Sequence, residues 1–331
     1  MFRNKIILIT GGTGSLGSTL TKYLLKTDVK TIRIFSRDEL KQTDMRSKIM
    51  DKRLRFFIGD VRDKERLSRA MEDVDIVFHT AALKQVPVAE YNPFEFVKTN
   101  IQGSQNVIDT CLENNIELAV AVGTDKAVSP VNTYGATKLL MEKLFISANY
   151  YTGKHKTKFI CVRYGNVLGS RGSILPLIIK KIKTKQQIPI TDASMTRFNI
   201  TMKEAIELIL RAVQEGKGGE IFIPKLKAYR VGDLKNAVVQ IVDKKSSTKK
   251  IPVRPGEKFH ESLISKDEMN YVFESKKDYI VYNLAEGIIS KKHNYKKINL
   301  KKEYSSDNAD LLTVDQIKEI IKKENLIDNI I

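Results

Sequence analysis

Residues 5–17, KIILITGGTGSLG, decide the fold of this chain. Residues 5–9 form an apolar run that predicts a β-strand, and an amphipathic segment predicted as a helix over residues 15–25 follows it. The glycines between them let the backbone turn tightly and approach a pyrophosphate, whose charge a helix N-terminus stabilises. This context predicts a dinucleotide-binding loop. The loop residues expected to contact the dinucleotide are Gly11, Thr13, Gly14, Ser15, Leu16 and Gly17.

Outward from this stretch, the first half of the chain alternates short apolar runs with amphipathic segments of helix length, the pattern of a parallel sheet covered on both faces. The predicted strands are residues 5–9, 31–35, 54–58, 76–79, 117–122 and 159–163. The predicted helices are residues 15–25, 64–71, 97–114 and 133–150. Strands joined in this way by crossover helices predict an α/β fold with a Rossmann-like, doubly wound parallel sheet.

The second half of the chain lacks this alternation of apolar runs and amphipathic segments. Beyond Gly165 it predicts loops and shorter helices, at residues 203–215, 231–242 and 314–324. We therefore expect a dinucleotide-binding domain over residues 1–168 that also carries the catalytic residues. A smaller substrate-binding lobe is expected over residues 169–331, and segments such as 200–225 are candidates to pack back on the first domain.

Composition bounds the class of protein. The chain has 331 residues, 42% of them hydrophobic, which suffices for one large domain or two modest ones. Cys111 and Cys161 lie far apart with no CxxC pair, so we expect no disulfide framework and no metal site, and a cytoplasmic location fits best. The longest apolar runs fall short of the roughly 20 residues that span a bilayer, so no membrane insertion is expected.

The net charge of +18 raises the question of a polyanionic partner. Lysines concentrate in residues 243–250 (DKKSSTKK) and 290–302 (SKKHNYKKINLKK), which carry no nucleic-acid-binding signature. A solvated lysine-rich surface is the preferred interpretation, with a polyanion site as the alternative. We expect no nucleic-acid partner, and a small anionic substrate is compatible with this charge.

The end of the second predicted strand bears on the choice of dinucleotide. It reads Phe35-Ser36-Arg37-Asp38, with Lys41 one turn further on. Ser36, Arg37 and Lys41 can bind a 2′-phosphate by charge-assisted hydrogen bonds, which favours NADP as the cofactor. Asp38 leaves NAD open as the alternative.

Two further loops are predicted to border the dinucleotide. Asp60 and Val61, after the third predicted strand, suit an adenine contact. Ala81 and Ala82, after the fourth, offer small side chains beside the cofactor. His79 precedes them and is expected to pack in the core.

A tyrosine and a lysine at helical spacing form the predicted catalytic centre. Tyr134 and Lys138 lie four residues apart in YGATK, on one face of a predicted helix. We expect the ammonium to lower the pKa of the phenol and to hold the nicotinamide ribose. Thr124, Asp125 and Lys126 follow the preceding predicted strand and complete the candidate catalytic set.

These motifs resemble the extended short-chain dehydrogenase/reductase family through TGGTGSLG, GDV, HTAA and YGATK. The resemblance narrows to the inverting UDP-N-acetylglucosamine 4,6-dehydratases, polysaccharide biosynthesis proteins that start pseudaminic acid synthesis. It does so through FSRDELKQ, FFIGDVRD, AALKQVPVAEYNP, TDKAVSPVNTYGATK, RYGNVLGSRGS, ITDASMTRF and RPGEKFHE. The matched segments cover residues 5 to 265, and EYSSDN near the end is a looser match.

The resemblance implies a reaction. Tyr134 would deprotonate the sugar 4-hydroxyl while C4 gives a hydride to NADP, which acidifies the C5 hydrogen. Retaining 4,6-dehydratases are expected to carry Asp-Glu where this chain has Asp125-Lys126. Asp125 is the candidate acid for the departing 6-hydroxyl, and Lys126 is the candidate base at C5. The proton that inverts C5 would come from either Tyr134 or Lys126.

The resemblance also implies substrate contacts and an assembly. The residues it assigns to UDP-N-acetylglucosamine are Lys84, Asn166, Arg171, Ser173, Arg197, Arg254 and Glu257. The helices predicted at 97–114 and 133–150 would pair with their copies in a homodimer or a higher multiple, up to a hexamer. Two alternatives remain open, a UDP-sugar 4-epimerase and a non-catalytic sensor of NADP.

Overall fold

The structure is a computed structural model that describes residues 1–242, 246–282 and 295–327. Parts of both lysine-rich segments, residues 243–245 and 290–294, therefore lie outside the described residues. Within the described ranges, no helix is long and apolar enough to cross a membrane.

The first half of the chain forms the predicted parallel sheet. Its strands are β1 (Ile6–Thr10), β2 (Thr31–Ser36), β3 (Leu54–Ile58), β4 (Ile76–His79), β5 (Leu118–Val122) and β6 (Lys158–Val162). They lie in the order β3-β2-β1-β4-β5-β6, and each neighbouring pair is parallel. This order reverses direction at β1, where the chain first crosses to β2 and later to β4. The predicted Rossmann-like fold is confirmed, with strand ends within one residue of the prediction.

Helices cover both faces of this sheet. They are α1 (Ser15–Leu24), α2 (Glu39–Lys48), α3 (Lys64–Met71), α4 (Val86–Tyr91), α5 (Pro93–Phe96), α6 (Gly103–Glu113) and α7 (Thr133–Ser147). Helix α2 was not predicted from the sequence, because its buried residues are only Gln42 and Met45 and its apolar periodicity is therefore weak.

The helix predicted at residues 97–114 is two elements. A π-helix spans Val97–Gln102, and α6 follows it. Asn100 in the π-helix donates to the Leu83 carbonyl at 2.9 Å and to the Thr137 hydroxyl at 3.0 Å. The wider turn lets a buried amide tie this helix to two neighbouring segments, which apolar periodicity does not encode.

The second half of the chain adds the remaining elements. In chain order they are β7 (Asn166–Val167), α8 (Ile174–Lys183), β8 (Ile188–Ile190), β9 (Thr196–Ile200), α9 (Met202–Glu215), β10 (Glu220–Pro224), β11 (Ala228–Arg230), α10 (Val231–Val242), β12 (Thr248–Lys250), β13 (Ser262–Ile264), β14 (Val272–Glu274), β15 (Asp278–Tyr282), β16 (Lys296–Lys297), β17 (Tyr304–Ser305) and α11 (Val314–Lys323).

Part of this second half extends the main sheet. Strand β10 pairs in parallel with β6, and β15, β14 and β16 continue the sheet antiparallel beyond it. Helix α9 contacts α1 and the strands β5, β6 and β10. The main sheet therefore takes strands from both sides of residue 168, and the division of the chain at that residue stays a prediction.

A separate apolar cluster lies under the remaining helices of the second half. Buried residues of α8, α10 and α11 pack together, among them Ile178, Leu234, Val238 and Ile317. Between this cluster and the main sheet runs a small sheet in the order β11-β9-β7. The main sheet and this apolar cluster meet around the carboxyl ends of the parallel strands, which is where α/β folds bind ligands.

Candidate active site

One large cavity opens where the main sheet meets the apolar cluster of the second half. It has a volume of about 1210 Å³ and lies between the glycine-rich loop, helix α7 and the second half of the chain. Drug-sized ligands occupy pockets of roughly 300–1,000 Å³, so there is room for more than one small ligand. Every site residue predicted from the sequence lines this cavity, except Asp125.

The glycine-rich loop is shaped for close approach of a ligand. Gly11 has a φ of 64°, and a Cβ there would lie 2.8 Å from the Ala81 Cα. A Cβ on Gly17 would lie 2.6 Å from the Gly12 Cα. Larger residues would push the loop away from β4 and from its own first turn. No side chain makes a capping hydrogen bond at Gly14, where α1 begins, and the first residues of α1 line the cavity.

Arg171 lies against this loop. Its Nη2 donates to the Thr13 carbonyl at 2.6 Å, and its Nε donates to the Ser15 hydroxyl at 3.2 Å. Lys84 in turn donates to the Arg171 carbonyl at 3.1 Å. Burial, together with the charges of Arg171 and Lys126, lowers the pKa of Lys84. Both cations thus lie beside the dinucleotide loop, although the family resemblance assigned them to the substrate.

The end of β2 presents the groups predicted to select the dinucleotide. Arg37 is half exposed, and its Nη1 lies 3.5 Å from the Asp60 carboxylate. Asp38 caps α2 by accepting from the Lys41 amide at 2.9 Å, and the Lys41 ammonium pairs with the same carboxylate. Gln42, which the sequence analysis missed, donates to the Ser36 carbonyl at 3.0 Å and to its hydroxyl at 3.1 Å.

Behind the cavity, His79 is a buried core residue, as the sequence analysis expected. Its ring nitrogens lie 2.8 Å from the Thr10 hydroxyl and 3.0 Å from the Ser104 hydroxyl. Burial, aided by the charge of Lys138, lowers the pKa of His79 to about 3. The ring is therefore neutral at physiological pH and supplies hydrogen bonds rather than charge.

Tyr134 and Lys138 both lie on the buried face of α7. Asn132 begins this helix by accepting from the Gly135 amide at 2.7 Å. Burial raises the pKa of Tyr134 to about 12 and lowers that of Lys138 to about 8. That Lys138 lowers the pKa of the phenol stays a prediction. Burial dominates, and the cation that opposes it is Lys126, helped by a hydrogen bond with Thr124.

The predicted acid–base pair, Asp125 and Lys126, lies shortly after β5, in a 3₁₀ turn over Asp125–Ala127. Asp125 is fully buried behind the cavity wall. Its Oδ1 accepts from the Thr124 hydroxyl at 2.9 Å and from the Lys126 ammonium at 3.0 Å. Its Oδ2 has no hydrogen-bond partner among the described residues. Thr124 and Lys126 line the cavity and are the groups through which Asp125 can act.

Lys126 is surrounded by acceptors. Its Nζ lies 3.0 Å from Asp125 Oδ1, 3.3 Å from Asn166 Oδ1 and 3.2 Å from Glu261 Oε1. Burial opposes the charge of Lys126, but the carboxylates of Asp125 and Glu261 outweigh it and raise its pKa. Lys126 is therefore an ammonium in the resting site, and it can act as a base only after giving up a proton.

The substrate residues predicted in the second half surround the far end of the cavity. Arg197 is buried on β9 and donates to the carbonyls of Thr196, Phe259 and Lys258 at 2.7, 3.0 and 2.9 Å. Its Nη2 lies 3.5 Å from Glu257. Arg254, Glu257 and Ser173 also line this end of the cavity.

Two further residues of this wall were not predicted. Tyr229 on β11 is almost fully buried and shares a hydrogen bond with Asn166. Glu261 lies at the end of the motif RPGEKFHE, but a glutamate in a charged segment carries no signal of burial. Only the folded contacts bring Glu261 to Lys126.

Comparisons with known proteins agree with this geometry. A family model described as polysaccharide biosynthesis protein matches residues 7–283. The chain is 50% identical over 283 residues to the inverting UDP-N-acetylglucosamine 4,6-dehydratase of Campylobacter jejuni, covering 85% of this chain and 84% of that enzyme. It is 42% identical over 332 residues to a protein of Rickettsia bellii named UDP-glucose 4-epimerase, covering 97% and 96%.

The fold is shared with a solved relative of similar length. The X-ray structure of Pen from Bacillus thuringiensis matches with a TM-score of 0.91 at 39% identity, and the match covers 97% of this chain and 99% of that one. The family model, the relatives and the glycine-rich loop with its Tyr134–Lys138 pair agree. The chain belongs to the polysaccharide biosynthesis protein family, within the extended short-chain dehydrogenase/reductase enzymes that modify nucleotide sugars.

Proposed function

We propose that this chain catalyses the NADP-dependent 4,6-dehydration of UDP-N-acetylglucosamine with inversion at C5. The product would be a UDP-2-acetamido-2,6-dideoxy-L-arabino-hexos-4-ulose, a precursor for glycan biosynthesis. The observation that carries this proposal is the hydrogen bond between Asp125, which lies behind the cavity wall, and Lys126, which lines the same cavity as Tyr134. An epimerase needs only the tyrosine, whereas elimination of water also needs an acid and a base.

The glycine-rich loop and the end of β2 fit a nicotinamide dinucleotide. At Gly11 and Gly17 any Cβ would collide with neighbouring backbone, so glycine at both positions keeps the loop in this close-packed turn. Ser36, Arg37 and Lys41 supply hydroxyl and cationic groups suited to a 2′-phosphate. The chemistry such a cofactor supplies is uptake of a hydride from C4 of the sugar and its return at C6. Binding titrations should favour NADP over NAD, and equal affinity would contradict the choice of NADP.

Tyr134 takes the proton of the sugar 4-hydroxyl in the first half of the proposed reaction. Because burial raises its pKa to about 12, the phenol must first release its own proton to solvent, and neighbouring groups favour that release. The Lys126 charge and the hydrogen bond with Thr124 both favour the phenolate.

Asp125 and Lys126 carry out the elimination in the second half. A proton moves from Lys126 to Asp125 across their 3.0 Å hydrogen bond, which leaves a free amine and a carboxylic acid. The amine takes the C5 proton, the C5–H electrons form the C5=C6 bond, and the C6–O bond breaks. Asp125 lies behind the cavity wall, so its proton reaches the departing oxygen through the Thr124 hydroxyl, 2.9 Å away.

Incubation with UDP-N-acetylglucosamine and mass analysis test the proposal. We expect a product that is lighter by one water, formed without added NADPH, since the hydride is returned within the site. A need for NADPH in stoichiometric amount would point to a reductase.

A UDP-sugar 4-epimerase is the second candidate function. Its support is the Rickettsia bellii protein of that name, which matches along nearly the whole chain. An epimerase would change the configuration at C4 and leave the mass of the nucleotide sugar unchanged, so the same experiment separates the two functions.

A further inference from the structure

We propose that Glu261 is a positioning residue for the elimination step, acting through Lys126. This inference rests on the proposed function. Glu261 Oε1 lies 3.2 Å from Lys126 Nζ, beside Asp125 Oδ1 at 3.0 Å and Asn166 Oδ1 at 3.3 Å. An ammonium has three N–H donors, and these three acceptors use all of them. Glu261 thereby holds the Lys126 ammonium in position and favours its protonated form. In the proposed reaction this ammonium faces the sugar.

The backbone of Glu261 is itself held from a distant part of the chain. Its amide donates to the Ser306 hydroxyl at 3.0 Å, and the Ser306 amide donates to the Glu261 carbonyl at 2.8 Å. Ser306 is fully buried and shares a further hydrogen bond of 2.7 Å with the Thr196 hydroxyl. These contacts give Ser306 of the EYSSDN motif a role: it orients the segment that brings Glu261 to Lys126.

The second carboxylate oxygen of Glu261 sets it apart from an ordinary ion-pair partner. Oε2 is buried and has no hydrogen-bond partner among the described residues, and Glu261 lines the cavity. A buried carboxylate oxygen without a partner is costly, so a structural ion pair would be expected to satisfy it. The unpaired Oε2 fits a carboxylate whose remaining hydrogen-bond donor is supplied by the bound ligand.

The charged groups around Lys126 act on its pKa. The titratable and charged groups facing it are Asp125, Glu261, Arg197, Lys84, Lys258, Tyr134 and Tyr229. Asp125 and Glu261 raise the pKa of Lys126, and Arg197 lowers it. Replacing Glu261 by glutamine keeps the shape but removes one of the two charges that raise this pKa, so the pKa should fall.

The test compares Glu261→Gln with the unmodified protein in the presence of NADP and UDP-N-acetylglucosamine. We expect water loss to slow by about 10- to 100-fold, the range of a misplaced acid–base group. Oxidation at C4, followed as reduced-cofactor absorbance on adding substrate, should change by less than about threefold, since Tyr134 and Lys138 are untouched. The apparent pKa in the pH profile of water loss should be lower in the variant, and Glu261→Asp should restore it toward the original.

Glu303→Gln is the matched control. Its carboxylate is exposed, lies in the EYSSDN motif and accepts only from Ser262 at 3.3 Å among the hydrogen bonds of the described residues. It should leave water loss and its pH profile unchanged. A second readout needs no turnover: ¹³C NMR of the Lys126 ε-carbon, assigned by its loss in Lys126→Arg, should titrate at lower pH in Glu261→Gln.

Three results overturn the proposal. They are an unchanged rate and pH profile in Glu261→Gln, an equal loss of C4 oxidation and water loss, or an unchanged Lys126 titration. Failure of the proposed function looks different, because the unmodified protein would then release no water from the substrate at all.

Discussion

Burial and neighbouring charge act in opposite directions on the pKa of Tyr134. This tyrosine is 9% exposed, and burial raises its pKa to about 12 although Lys126 and Thr124 act to lower it. The sequence shows that Tyr134 lies four residues before Lys138. It does not show that Lys126 is the cation that lowers the pKa of its phenol. Lys126 reaches it only through the turn after β5.

Replacing Tyr134 by phenylalanine tests its role. Loss of a positioned base should slow the reaction by about 10²- to 10⁴-fold, and no reduced cofactor should accumulate, because oxidation at C4 is the step that fails. Stopped-flow absorbance of the reduced cofactor measures this. Tyr23→Phe, at an exposed tyrosine of α1, is the control and should react normally. Normal turnover in Tyr134→Phe would remove the tyrosine from the mechanism.

Lys138 gives the site a pH dependence. Burial lowers its pKa from 10.5 to about 8, so the ammonium is present below that pH and is lost as the pH rises through it. A ribose hydroxyl or a phosphate held by this charge should therefore bind more weakly above pH 8. We expect NADP affinity, measured by fluorescence titration, to fall between about pH 7 and 9. Lys138→Arg stays charged and should lose this dependence; a parallel fall in that variant would assign it to another group.

At the scale of elements, α7 links the proposed catalytic residues to the second half of the chain. One turn beyond Lys138 it carries Glu142, which is buried and accepts from Arg163 Nη2 at 2.7 Å. Arg163 also pairs with Glu268 at 2.9 Å. These contacts cross from α7 through the end of β6 to a loop more than a hundred residues later. Sequence patterns predicted α7 and β6 but not this connection, because a buried ion pair leaves no periodic signal.

Glu142→Gln should be strongly destabilising, because it leaves the Arg163 charge with one of its buried partners missing. Removing one partner of a buried pair costs about 3–5 kcal/mol, and the remaining bond to Glu268 places this variant toward the lower value. Urea unfolding measures the change in the free energy of unfolding. Asp44→Asn removes an exposed pair with Lys48 and should change it by less than about 0.5 kcal/mol. Equal effects of the two variants would contradict the structural role of the network.

At the scale of the whole molecule, the sheet extends beyond what the sequence predicted. The six parallel strands of the first half follow from their apolar runs and flanking helices. Strand β10, by contrast, is a short run, EIFIP, far along the chain, and its pairing with β6 depends on tertiary contacts. Similarly, the proposed substrate residues were assigned by resemblance, and only the fold explains why β9, β11 and the segment before β13 meet at one cavity.

Self-association is the prediction that belongs to this scale. Helices α4 and α5 contact α7, and these helices carry the exposed apolar residues Tyr91 (87%), Phe94 (64%) and Leu140 (44%). The helices expected to pair from the family resemblance include α7, which carries Leu140, so we expect a second copy of the chain to cover these residues. Tyr91→Asp combined with Phe94→Asp should lower the mass measured by light scattering toward the monomer. Met50→Asp, at an exposed apolar residue after α2, should not, and a monomeric unmodified protein would contradict the prediction.

The most direct test of the account is the reaction of UDP-N-acetylglucosamine in D₂O, followed by mass analysis and proton NMR of the product. Dehydration through Tyr134, Asp125 and Lys126 predicts a nucleotide sugar that has lost one water, carries a deuterium at C5 and has the inverted configuration there. A product of unchanged mass that differs only at C4 would contradict the dehydratase. A dehydrated product that retains its C5 configuration would contradict the inversion.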